Sequence, residues 1–206
     1  MVLTKNEIDA DIYGKGDFVQ LDHLKRFLGK ADSMDVKKYI LLKIADINEK
    51  HKFFSDAARS LDEAAEIAIT YKEKIEIYSK MVKLLINSEQ FDLADKAVLK
   101  SIAFSNTLRE KSNLQDNYIK LYEDLADRLV SENKHRKAIN VYNKLYSMPQ
   151  NPEKKDFIKQ KLLTLYLKLG KTKEHSYLSR PEPQPLPVEK KEDIMGEIGV
   201  KRWGVR

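Results

Sequence analysis

From Asp35 to Leu169 the apolar residues return three and four positions apart, with no proline except Pro149 and Pro152. That spacing lines side chains along one face of a 3.6-residue helix, and strand-like alternation is missing, so an all-α domain is expected. A shorter run ahead of it, Phe18, Leu21, Leu24, Phe27 and Leu28, keeps the same period. It predicts one helix, capped by Asp17 and ending near Gly29. The stretch "YGKGDF" reads as the turn before this first helix.

The pattern also repeats. Phe54, Ala57, Leu61 and Ala64 share their spacing with Phe91, Ala94, Val98 and Ser101, and again with His135, Ala138, Tyr142 and Leu145. In each set a ring leads, a small residue follows, and a large one comes a turn later. The small residue lets a neighbouring helix approach, and the large one fills the space beside it. Ahead of each set lies a second amphipathic stretch. These carry Leu41, Ile44 and Ala45, then Tyr78, Met81, Val82 and Leu85, then Tyr122, Leu125, Ala126 and Leu129. A fourth offers Leu162, Leu163 and Tyr166 before Gly170, after which the pattern fades through "TKEHSYL".

Paired helices repeated in this way resemble the tetratricopeptide repeat (TPR) family over residues 36–178. The family's tryptophan and glycine positions are mostly absent here. The unit is also longer, since Ala57 and Ala94 stand 37 apart and Ala94 and Ala138 stand 44 apart, against about 34 in the family. The resemblance implies a right-handed α-solenoid of antiparallel helix pairs, three degenerate units and a closing helix. It implies a concave groove from the first helix of each pair, carrying Tyr39, Asp46, Glu49, Lys83, Asn87, Glu123, Asp127 and Gln160. Repeats that hold acidic chaperone tails use lysine, asparagine and arginine side chains. The matching places here hold Leu42, Asp46, Lys80, Lys120 and Asp124, so only Lys120 keeps its type and that ligand is not expected.

Composition narrows the chemistry. Among 206 residues there is no cysteine, so disulfides and thiolate ligands are excluded, and a cytoplasmic location is the expectation. The first residues lack the apolar core of a secretory signal, and no run approaches the roughly 20 apolar residues that span a bilayer. His23, His51, His135 and His175 lie far apart without metal-binding spacing, and the glycines around Lys15 do not complete a phosphate loop. Neither a cofactor, nor a metal, nor an enzymatic activity is expected; a binding module is.

Charge singles out one region. Of the net +6, most falls in residues 153–179, where 7 basic groups face 3 acidic ones. Lys154, Lys155, Lys159, Lys161, Lys168, Lys171 and Lys173 are candidate phosphate contacts, which makes RNA or ribosome binding the alternative function. Against it, the apolar positions of that helix are mostly large aliphatics suited to a core, and no aromatics are evidently placed for base stacking, Tyr166 and Tyr177 being the two that could be argued.

The helical domain is expected over 35–179, behind an N-terminal segment 1–34 with one capping helix. Pro181, Pro183, Pro185 and Pro187 then favour extended backbone in a linker over 180–193. Residues 194–206 read as a disordered recognition tail anchored by Ile198, Val200, Lys201, Arg202, Trp203 and Arg206. Three uses of it stay open: no specific role, docking on its own domain or a sister copy, or engagement of another protein. For self-docking, Asp46, Glu49, Glu123 and Asp127 suit the tail's basic residues. The expectation is a non-enzymatic adaptor holding a protein or peptide in the groove while the tail finds another partner.

Overall fold

Polar caps set where several helices begin. The side chains of Thr4, Thr70, Thr107 and Asn151 each accept a hydrogen bond from a backbone N–H three residues ahead, and a helix starts behind each. The computed structural model describes residues 3–180. These form α1 (Lys5–Ile12), α2 (Asp17–Lys30), α3 (Met34–Lys50), α4 (Phe54–Ile67), α5 (Tyr71–Asn87), α6 (Phe91–Ala103), α7 (Leu108–Ser131), α8 (His135–Ser147), α9 (Pro152–Lys168) and α10 (Thr172–Ser179). The described residues contain no strand, so the fold is all-helical. The anchor residues Ile198, Val200, Lys201, Arg202, Trp203 and Arg206, and the linker before them, lie outside the described residues.

The N-terminal segment holds two helices where one was expected. The first, α1, starts with reciprocal bonds: the Glu7 N–H donates to Thr4 Oγ1 (3.3 Å) and the Thr4 N–H to Glu7 Oε2 (2.9 Å). Ile8 and Ile12 are buried against Leu21, Leu24, Val36, Ile40 and Ile44, so α1, α2 and one side of α3 close a core of their own. The "YGKGDF" turn therefore joins α1 to α2, with Gly14 at φ +70° in the left-handed region that glycine enters freely. Asp17 does not cap α2; Gly16 is the N-cap. Its carboxylate is taken instead by Lys50 (2.6 Å) and His51 (2.8 Å) at the end of α3. Lys50 first, and then His51, hold Asp17 below the usual carboxylate range.

Beyond α2 the helices come in pairs, α3 with α4, α5 with α6, α7 with α8 and α9 with α10. One turn serves all four. At its centre sits a residue with positive φ: Lys52 (62°), Glu89 (61°), Asn133 (58°) and Gly170 (66°). The next N–H returns to a carbonyl five residues back, as in Phe53 to Asn48 (2.8 Å), Gln90 to Leu85 (2.9 Å), Lys134 to Leu129 (2.8 Å) and Lys171 to Tyr166 (2.9 Å). The central residue's own N–H bonds three back, to Glu49, Ile86, Val130 and Leu167 respectively. These bonds satisfy carbonyls that the helix end would otherwise leave orphaned. Phe53, Gln90, Lys134 and Lys171 then serve as N-caps of the following helices.

The small-residue face seen in the sequence is where the pairs close. Ala57, Ala94 and Ala138 are each 0% exposed, and Leu61, Ala64, Ser101, Tyr142 and Leu145 lie buried on the same faces. One core runs from Leu41 on α3 to Tyr166 on α9. The last helix, α10, has no buried residue, which matches the fading of the pattern after Gly170.

Candidate functional site

The first helices of successive pairs are laced together by polar side chains. Lys80 on α5 donates to Asp46 on α3. Arg128 on α7 reaches Asn87 on α5 (3.1 Å), and Lys161 on α9 reaches Asp127 on α7 (3.6 Å). Helices α3, α5, α7 and α9 thus contribute neighbouring side chains one after another, and most of the groove residues expected from the sequence fall among them. The structure divides them by availability. Glu49, Lys83 and Gln160 are exposed and Glu123 is half-buried, and none of the four has a side-chain partner among the described residues. Asp46, Asn87 and Asp127 are already engaged.

Two expectations need correcting. Tyr39 does not lie open in a groove: its hydroxyl donates to the carboxylate of Asp9 on α1 (2.6 Å), which also takes Lys43 (3.0 Å). Tyr39 therefore belongs to the joint between α1 and α3. The acidic set proposed to receive the tail's basic residues is likewise depleted. Asp46 is matched by Lys80, and Asp127 accepts from both Tyr142 and Lys161. That leaves Glu49 and Glu123.

Comparable tyrosine–carboxylate joints recur deeper in the molecule. Tyr122 donates to Asp95 (3.3 Å), which also receives Lys144. Tyr78 lies beside the pair formed by Lys100 and Asp62 (2.6 Å). Burial first, and then the adjoining aspartate, push the Tyr122 and Tyr142 hydroxyls well above the usual phenol range. These groups stay protonated and serve as hydrogen-bond donors that fix one helix on the next.

The lysines do not form one basic patch. On α9 the buried stripe is Ile158, Leu162, Leu165 and Tyr166. Helical geometry puts Lys155 and Lys159 on one flank of it and Lys154, Lys161 and Lys168 on the other. Lys155 lies over the Tyr146 ring (4.9 Å), and Lys161 over Phe157 (5.2 Å) as well as against Asp127. Lys171 pairs with Glu174 (3.3 Å) on the turn into α10, and Lys173 is exposed on α10. Of the remaining histidines, His23 bonds Asp11 (2.6 Å), His175 lies near Ser179 (3.5 Å), and His135 at the start of α8 keeps a buried Nδ1 with no hydrogen-bond partner among the described residues. Among the described residues no cluster of histidines and carboxylates is arranged to hold a metal ion. No helix there is long and apolar enough to cross a membrane.

One feature escaped the sequence reading. Between α6 and α7, where the link from α8 to α9 passes, an apolar cleft of about 170 Å³ opens beside Leu99, Tyr118, Ile119 and Met148. Tyr118 is only 4% exposed, and its hydroxyl has no hydrogen-bond partner among the described residues. The sequence carries one trace of it, the 44-residue spacing from Ala94 to Ala138 where the preceding unit has 37.

No family model matches the chain, and no curated protein matches it in sequence. Among solved structures it is similar to BtubC (BKLC) from P. vanneervenii, at 13% identity and a TM-score of 0.38, over 86% of this chain and 81% of that one.

Proposed function

We propose that this chain is a non-enzymatic, cytoplasmic adaptor of TPR-like build, a right-handed α-solenoid of antiparallel helix pairs that binds a protein or peptide along its first helices. One observation carries the reading: the cross-links Asp46–Lys80, Asn87–Arg128 and Asp127–Lys161 run in order from α3 to α9. Side chains bridging consecutive first helices belong to one continuous surface. On it Glu49, Lys83, Glu123 and Gln160 alternate in charge and polarity and are free to bond a ligand. An extended peptide laid across such a surface bonds these side chains through its backbone N–H and C=O groups and gains selectivity from charge order. The RNA alternative is disfavoured because its lysines divide over two flanks of α9 and several are already matched by carboxylates or rings.

The test is site-specific photo-crosslinking in the native host. A crosslinker at Lys83 or Gln160 should capture the same protein, and one at Lys96 on α6 should not. Lys83→Glu should reduce capture by the crosslinker at Gln160, whereas nuclease treatment should leave it unchanged. Capture that is equal at Lys96, or that vanishes with nuclease, would refute the adaptor reading.

A further inference from the structure

The cleft beside α7 has a specific origin. Helices α3, α5 and α9 are each 17 residues long, and α7 is 24. Counting back from Glu89 and Asn133, Gln115 stands where Tyr71 starts α5, so residues 108–114 are the added length. Seven residues make nearly two turns, about 10 Å, and leave the faces of the helix almost unrotated. Gln115, Tyr118 and Ile119, at the root of this extension, face Leu99 and Ile102 of α6 and the Met148–Pro149 link.

What the cleft accepts is legible from its walls. They are almost wholly apolar, and Leu99 at 68% exposure leaves a large aliphatic side chain in water beside them. An apolar cavity of about 150 Å³ admits a benzene ring, so a cleft of about 170 Å³ admits one aromatic side chain. Tyr118 lines it, and its hydroxyl, closed to solvent, lacks a partner among the described residues. A hydroxyl in that position favours an occupant that brings its own hydrogen-bonding group. An aromatic ring with an N–H donor meets both requirements.

We infer that the cleft is the seat of Trp203 of this same chain, with the indole N–H donating to Tyr118 Oη. Trp203 is the only tryptophan, and Lys201, Arg202 and Arg206 flank it. Asp116 supplies matching charge: it lines the adjoining depression that shares Ile119 and Pro149 with the cleft, and it has no partner among the described residues. Lys154 lines the same depression, so the basic flanks are drawn to the Asp116 side. Asp95, inside the cleft, is already occupied by Lys144 and Tyr122. Reach is ample. The segment 181–203 extends on the order of 70 Å at about 3.3 Å per residue. The cleft lies at the start of α9, within about 35 Å of Arg180 given the length of α9 and one helix spacing. The inference stands apart from the adaptor reading, since none of the residues lining the cleft is a groove residue.

A single tryptophan makes the test direct. In the full-length chain, Trp203 emission should be blue-shifted from that of N-acetyltryptophanamide and quenched several-fold less by acrylamide, independently of protein concentration. Leu99→Lys, at an exposed position, should return both readings to those of the free indole while far-ultraviolet circular dichroism is unchanged. Tyr118→Phe should weaken docking by roughly fivefold, the worth of one neutral hydrogen bond. In a Trp203→Ala background the same change should leave thermal stability equal or raised, because an unmatched buried hydroxyl is removed. Water-like emission of the wild type overturns the inference, as does protection that survives Leu99→Lys. Protection that grows with concentration alongside dimer mass overturns it too, by giving the cleft to a second copy's tail.

Discussion

Substituting Lys52 by glycine should make the protein more stable, although glycine beside a helix usually has the opposite effect. Lys52 sits at φ 62° between α3 and α4, is exposed, and has no charge partner among the described residues. Its Cβ crowds the backbone in that conformation at a cost of about 1–2 kcal/mol. Glycine removes the crowding and keeps the turn's bonds, Lys52 to Glu49 (3.0 Å) and Phe53 to Asn48 (2.8 Å), since both are backbone. Against this, glycine adds about 0.5–1 kcal/mol of unfolded-chain entropy. The expected net gain is about 0.5–1 kcal/mol, a rise in Tm of about 1–4 °C for a chain of this size. Urea unfolding followed by circular dichroism should show a higher midpoint with an unchanged slope. Lys50→Gly, inside the last turn of α3, supplies the contrast and should lose more than the roughly 0.5–1 kcal/mol of helix propensity, because its ion pair with Asp17 goes as well. Lys52→Ala retains the Cβ and should be close to neutral. Asn133→Gly, in a separate turn, should add a smaller increment, because asparagine tolerates this backbone well. If Lys52→Gly destabilises as much as Lys50→Gly, or Lys52→Ala gains as much as glycine, the account of the turn is wrong.

The remaining predictions concern packing and pH. Ala138→Leu, at 0% exposure, should cost about 1–3 kcal/mol by overfilling the contact between helices, while Ala103→Leu on an exposed surface should not, as thermal melts would show. The Asp17 carboxylate is held below its usual range by Lys50 and His51, so its contribution is present above the ordinary carboxylate pKa and lost as pH falls below about 4. Asp17→Asn should therefore flatten the acid side of a stability-versus-pH curve and leave its alkaline side unchanged. Tyr122 has the opposite sign: raised by burial and Asp95, it stabilises below the ordinary phenol pKa and is lost as pH climbs above about 10. Tyr122→Phe should cost about 1 kcal/mol at neutral pH and reduce the loss seen above pH 10.

How much of this was legible in the sequence depends on the range of the interaction. The helix faces were, because Ala57, Leu61 and Ala64 or Ala138, Tyr142 and Leu145 are set by local period alone. Helix α1 was missed although Thr4 and Glu7 form a capping signature, because only Ile8 and Ile12 mark its buried side. Three of the four pair-forming turns were silent, since lysine, glutamate and asparagine occupy left-handed positions that normally advertise themselves as glycine. The groove residues could be enumerated by analogy, but not sorted. Asp46 is engaged by Lys80, 34 residues away, and Asn87 by Arg128, 41 away, and no local pattern encodes such matches. The added turns of α7 were visible as a spacing of 44, yet nothing in that number said that a cleft would form beside them.

The two kinds of joint also differ in how they yield. Within a pair, a closed turn carries two returning backbone bonds and one residue serves both helices. Between pairs, at Ala68–Thr70 and Met148–Asn151, the flanking residues are extended, with ψ between 136° and 153°, and a side-chain cap restarts the helix. Under load or thermal fluctuation the molecule should part at these seams first, so that whole hairpins peel away while their internal turns stay shut. Hydrogen exchange would then group the amides of α5 with those of α6, and of α7 with α8, rather than α6 with α7. Such a protein deforms in quanta of one hairpin, and a partner that spans a seam acts as its splint.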